Sequence, residues 1–264
     1  MGFMSRFEVY ARKRIAQRFS RKLAEQVSPS PIVSFTFDDF PRSALAVAGA
    51  MLADNGLRGT YYAAMGLLGH RTSMGEIFNA ADLRVLVEAG HELSCHTFDH
   101  LYCLRSTGSE VQWACDRNRR AVAEILGGYR LRNFSYPSGC VTWSAKSSLT
   151  SIYDSCRTVE WGINANPVDL GFLRAAPVYS GCPIGKLQRL IAENAEQAGW
   201  LILYTHDVSP QPSIVGCTPA YFRDILSSAI ASGASVVTVA EAVSRFRLRK
   251  DGVPDNNPFR STGM

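Results

Sequence analysis

Ile32-Val-Ser-Phe-Thr-Phe37 runs directly into Asp38-Asp39. An apolar run of this length, rich in β-branched and aromatic residues, reads as a strand. Two adjacent carboxylates at its C-terminal end occupy the place where parallel α/β folds keep their chemistry. The alternative is a helix N-cap, which would account for one of the two aspartates.

Outward from this strand the pattern alternates. The sequence predicts helices over 43–56, 80–90, 109–126, 142–152 and 219–232, and from 240 onward. It predicts further strands over 60–64, 91–95, 132–136, 200–205 and 235–239. Gly56, Gly90 and Gly233 each follow a predicted helix, where a left-handed cap favours glycine. Such alternation implies an α/β fold with a parallel sheet, open or closed into a barrel.

Composition narrows the class. The 264 residues are 46% hydrophobic and 19% charged, which excludes disordered and fibrous chains. The net charge of +5 is uneven: residues 1–27 carry seven basic and two acidic groups, residues 245–264 five and two, leaving the middle acidic. Seven cysteines without paired spacing are expected to be reduced thiols. Charges interrupt the first 27 residues every few positions, and the apolar stretch 44–53 is about half of a membrane span. A soluble, cytoplasmic protein is therefore expected.

Two more predicted strand ends carry histidine. Ser94-Cys-His96-Thr-Phe-Asp-His100 places two imidazoles four residues apart, able to share one ion, although a chance surface pair looks the same. Leu201-Ile-Leu-Tyr-Thr-His206 ends the most apolar strand, where a satisfied core histidine is the alternative. Together the three ends supply two imidazoles and a carboxylate for zinc or a similar divalent ion, a second carboxylate as base and a separate histidine as acid. That is the inventory of a metal-dependent amide hydrolase.

The motifs Thr36-Phe-Asp-Asp39, His96-Thr-Phe-Asp-His100, Phe134-Ser-Tyr-Pro-Ser-Gly139 and Leu203-Tyr-Thr-His206 stand in one order. In this the sequence resembles the polysaccharide deacetylases of the NodB-homology type, carbohydrate esterase family 4. The resemblance implies a distorted (β/α)7-type barrel, with Asp38 as general base, Asp39, His96 and His100 as ligands of Zn2+ or another divalent metal, and His206 as general acid. It implies the Ser138 backbone N–H as an oxyanion donor and Leu203 in the pocket for the acetyl methyl, with Tyr136 and Pro137 beside it. Many members carry an arginine in the third motif that orients the base. Here Ser135 or Tyr136 stands near that position and the spacing of Arg132 does not match, so Arg174 is the expected replacement. Trp161 is the candidate for the unclear fourth motif. The activity implied is removal of N-acetyl groups from a polysaccharide. A deformylase of a lipid-linked amino sugar would use the same residues. A non-catalytic saccharide-binding or scaffold member is the remaining alternative, and the intact Asp38 and His206 count against it.

The ends are read separately. Residues 1–27 are expected to form a basic amphipathic helix ahead of a deacetylase domain spanning 28–264. That helix either packs on the barrel as a solvated element or anchors the protein to an anionic membrane, with residues 245–250 joining the same surface. Membrane attachment would suit a polyprenyl-linked oligosaccharide substrate, as in cytoplasmic exopolysaccharide deacetylases of the holdfast type, which the chain resembles. Nucleic-acid binding is not expected, since the middle of the chain is acidic and no such motif is present.

Overall fold

The structure is a computed structural model and describes residues 6–19 and 22–249. The strands of its main sheet are β1 (Ile32–Asp38), β2 (Thr60–Ala63), β3 (Glu92–Cys95), β4 (Asn133–Ser135), β5 (Ser155–Arg157), β6 (Ala176–Pro177), β7 (Trp200–Thr205) and β8 (Ser235–Val236). All pair in parallel, in the order β6-β7-β1-β2-β3-β4-β5, with β8 on β1. β1 is central and buried along its whole length, in keeping with its uncharged run. Phe37 lies opposite Thr205 of β7 on one side and Tyr61 of β2 on the other.

The two edges of the sheet curl toward each other. Leu173, just before β6, bridges Arg157 of β5: its N–H donates to the Cys156 carbonyl at 2.9 Å, and its carbonyl accepts from Thr158 at 2.8 Å. The result is the expected distorted seven-strand barrel, incompletely closed. The helices are α1 (Arg6–Arg18), α2 (Ala50–Asp54, entered through a π-helical turn at Ala44–Gly49), α3 (Ala80–Glu88), α4 (Gly108–Leu126), α5 (Trp143–Thr150), α6 (Ile184–Glu196), α7 (Pro219–Ala231) and α8 (Val239–Ser244). Phe35 and Phe37 meet Phe222 of α7 at ring separations of 5.3 and 6.0 Å, so apolar rings weld strand to helix. β5, β6 and α6 all fall between 153 and 199, where the sequence reading placed no element; so long a bare stretch inside a compact domain is itself a sign of missed structure.

The N-terminal segment corrects an expectation. Among the described residues its helix ends at Arg18, and Leu23–Gln26 is a strand, paired antiparallel with Phe246–Leu248 and Val168–Asp169. Ala24 and Gln26 turn inward while Glu25 faces out, a period of two that cannot continue a helical stripe. α1 packs on α5, and the buried Lys146 ammonium donates to the Ala16 and Phe19 carbonyls and pairs with Asp169 at 2.7 Å. Residues 1–5, 20–21 and 250–264, parts of the two expected basic ends, lie outside the described residues. All seven cysteines are free. Among the described residues no helix is long and apolar enough to cross a membrane.

Candidate active site

β1, β3 and β7 deliver their terminal polar residues to the same rim of the barrel. Asp38 is the last residue of β1, His96 follows β3 and His206 follows β7. Asp39, Thr97, His100 and Ser138 all hold left-handed backbone, with φ between 50° and 60°. Such angles are unfavourable for residues with a Cβ, and their gathering around one site is an outcome that tertiary structure imposes. At Ser138 the next residue explains part of it: a Cβ on Gly139, itself at φ 66°, would meet Val159 at 2.2 Å.

Asp39 Oδ1 lies 3.8 Å from His96 Nε2 and 3.8 Å from His100 Nε2. One ligand atom from each of the three residues falls within 4.8 Å of the others. His96 Nδ1 is 2.8 Å from the Ser135 carbonyl, which fixes the ring with Nε2 toward Asp39. Burial pushes His96 down to about 4, against the pull of Asp38 and Asp39, so the ring is neutral near pH 7. Asp39 Oδ1 is buried and accepts no hydrogen bond. A bare carboxylate oxygen between two imidazoles matches the donor set of a divalent cation such as zinc.

Asp38 is held differently. Its carboxylate pairs with the guanidinium of Arg157, a fully buried residue at the end of β5. Arg157 also donates to Ser135 Oγ at 2.6 Å and to the Thr158 carbonyl at 3.1 Å. Its guanidinium carbon lies 5.1 Å from the Tyr62 ring and 4.9 Å from the Tyr204 ring, two faces that favour a cation. Burial would raise the Asp38 carboxyl, but Arg157, with His96 and His206, outweighs it and brings the group to about 2. Asp38 is therefore a carboxylate at any working pH.

His206 Nδ1 lies 3.2 Å from the Val215 carbonyl, an acceptor that assigns the proton to Nδ1 when the ring is neutral and leaves Nε2 for chemistry. Asp38, Asp39, His96, His100, Ser138 and His206 line one cavity of about 330 Å³, with Met74, Val159, Tyr179, Tyr204 and Val215. A roomier groove of about 590 Å³ beside α2 and α3 holds none of these groups.

Several expected residues lie elsewhere. Arg174 is exposed and donates to the Trp161 carbonyl at 3.3 Å; the base partner is Arg157. Leu203 shares the core with Leu201 and Phe222, because alternation along β7 turns Tyr204, not Leu203, to the cavity. Tyr136 is buried with its hydroxyl donating to the Gly171 carbonyl at 3.1 Å, and Pro137 is buried beside it. Trp161 sits under the Lys186 ammonium, 4.1 Å from its ring centre. None of these five lines the cavity. Sequence reading missed Arg157, Tyr179 and Tyr204. Tyr204 was recoverable from the strand alternation that ends at His206.

Residues 25–152 match the family described as polysaccharide deacetylase. The matched segment, just under half of the chain, carries this family's sequence pattern. Arg157 and His206 lie beyond the matched segment, so their placement rests on the geometry above. No curated protein sequence matches the chain. Among solved structures it is similar to the chitin deacetylase of the fungal pathogen Colletotrichum lindemuthianum, at 18% identity and a TM-score of 0.57, covering 80% of this chain and 87% of that one. It is also similar to a family 4 acetyl xylan esterase from Clostridium thermocellum in complex with a cobalt ion (20% identity, TM-score 0.53, 81% and 90% covered). A third, a carbohydrate esterase family 4 pseudoenzyme from Bacillus anthracis, gives 12% identity and a TM-score of 0.55, with 82% and 66% covered. What these three share with the chain is the fold.

Proposed function

We propose that this deacetylase family member is a divalent-metal-dependent hydrolase that removes N-acetyl groups from N-acetylhexosamine units of an oligo- or polysaccharide. The observation that carries this reading is the opposition, around one cavity, of an Arg157-held Asp38 carboxylate and a His206 imidazole beside the Asp39, His96 and His100 donor set. Those three residues would hold the ion, which when bound polarises the acetyl carbonyl and acidifies water. Asp38 takes a proton from the attacking water. The Ser138 N–H donates to the carbonyl oxygen as negative charge develops there. His206, protonated, returns a proton to the departing sugar amine, and acetate and a free amino sugar leave.

Acetate release from N-acetylglucosamine oligomers, with chelator and with added zinc, tests the reading. Activity should vanish with chelator and return with metal. Asp38→Asn should abolish turnover while keeping about one metal per chain; full activity in that variant refutes the assignment. Formate release from an N-formyl sugar in place of acetate would make the enzyme a deformylase.

The basic ends support a further part of the proposal, that the enzyme works at an anionic membrane on the cytoplasmic side and takes a lipid-linked oligosaccharide in exopolysaccharide synthesis. Pairing of Leu23–Gln26 with Phe246–Leu248 brings the two ends side by side. Arg14, Arg18 and Arg247 are exposed, as is Tyr10. A lysine or arginine near an anionic leaflet contributes ~1 kcal/mol. Removing residues before Ser28 would delete a paired strand, so charge reversal is the cleaner perturbation. Arg14→Glu, Arg18→Glu, Arg247→Glu should abolish flotation with anionic liposomes, and unchanged flotation would reject the anchor.

A further inference from the structure

Trp113 stands on the second turn of α4 with 62% of its surface exposed, more than any other tryptophan among the described residues. It is not loose. The Arg117 guanidinium lies 4.7 Å from the centre of its ring and 3.9 Å from that of Phe98. Arg117 also donates to Asp99 Oδ2 at 2.8 Å. Phe98 and Asp99 belong to the turn that separates His96 from His100, and the Phe98 carbonyl accepts from the Gly66 N–H at 2.8 Å. A continuous set of contacts thus runs from the rim of the cavity, through Asp99 and Arg117, to an indole ring that is fixed yet open to solvent.

We propose that Trp113 is a stacking platform for a second sugar ring of the chain whose acetylated unit occupies the cavity. The inference rests on the deacetylase reading and deepens it: the substrate is an oligomer, bound along the α4 rim. The chemistry fits a pyranose. The C–H face of the ring lies on the indole, while its hydroxyls meet the Asp99 carboxylate, 54% exposed, and the edge of the Arg117 fork, 37% exposed. An anionic lipid suits the place poorly, because Arg117 is already paired with Asp99 and the ring's helical neighbours three residues to either side, Glu110 and Asp116, are acidic. A protein partner suits it poorly too, since a stable interface needs roughly 800 Å² per side and the apolar surface here is a single indole.

The test compares wild type, Trp113→Ala and Trp113→Phe on N-acetylglucosamine oligomers from one to five units. In Trp113→Ala, KM for the pentamer should rise roughly tenfold, which is about 1.4 kcal/mol, while kcat and the monomer kinetics stay unchanged. Trp113→Phe should keep most of the pentamer affinity. A wild-type dependence of KM on length in Trp113→Ala overturns the proposal. Calorimetric binding of the pentamer to full-length Asp38→Asn, with and without Trp113→Ala, reads the platform without turnover. Equal affinity, or no binding in either, also overturns it. Absence of acetate release by wild type would instead strike the deacetylase reading. Matching melting curves for the three proteins establish that the surface change leaves the fold intact.

Discussion

Replacing Arg157 with glutamine removes the only cation in contact with the Asp38 carboxylate among the described residues and leaves that carboxylate buried. In the wild type, Asp38 falls from an ordinary 3.8 to about 2, which corresponds to about 2 kcal/mol of preference for the charged form in the fold. The group's folded value is depressed, so it stabilises the protein above pH 3.8 and loses that contribution as pH falls toward 2. Without Arg157 the remaining effect of burial is to raise the carboxyl, and the sign reverses. Breaking a buried pair from one side typically costs about 3–5 kcal/mol, and the Tyr62 and Tyr204 contacts are lost as well. Urea unfolding at pH 7 should show a loss of this order, and the acidic limb of kcat/KM for acetate release should move to higher pH. Arg157→Lys keeps the charge without the planar fork and should fall between. A glutamine variant with wild-type stability and an unmoved acidic limb would refute the reasoning.

The other predictions concern separate parts of the molecule. His100→Ala should weaken cobalt or zinc binding by equilibrium dialysis at least tenfold, because one of three donors is gone; unchanged affinity removes His100 from the ligand set. Gly139→Ala should lower the melting temperature and reduce kcat, since its Cβ would meet Val159 at 2.2 Å and displace Ser138. Lys146→Met strands the Asp169 carboxylate and frees the end of α1, so hydrogen exchange in 6–19 should accelerate and stability fall by about 3–5 kcal/mol.

What the sequence made legible followed one physical rule. Strands whose last residues are uncharged and run into Asp38-Asp39, His96 and His206 had to be buried, and the polar residues that follow had to emerge at one rim. A parallel sheet and a clustered set of donors follow from that, while the seven-strand barrel and the division of roles between Asp38 and Asp39 came from the family resemblance. Arg157 was hidden because β5 is three residues long and its partners, Asp38 and Ser135, are remote in sequence. Nothing local marks an arginine as buried. Arg174 was expected in that role by resemblance alone, yet its guanidinium faces solvent and the Trp161 carbonyl. Leu203 was misplaced by following a motif across a strand in place of its alternation. The N-terminal segment was misread where helix changed to strand within a few residues, a boundary decided by the distant Phe246–Leu248 and Val168–Asp169 partners.

The left-handed backbone at Asp39, Phe40, Thr97, His100 and Ser138 bears on any effort to harden this protein for industrial use. Glycine replacement is the usual way to relieve such angles. Here it would erase donors at Asp39 and His100, remove the Thr97 hydroxyl that accepts from Leu101 N–H at 2.8 Å, and empty the ring stack of Phe40 on Phe78. Heat tolerance must therefore be engineered on the helices and the outer antiparallel strands. Directed evolution for thermostability should accumulate its gains far from the rim and leave this strain in place.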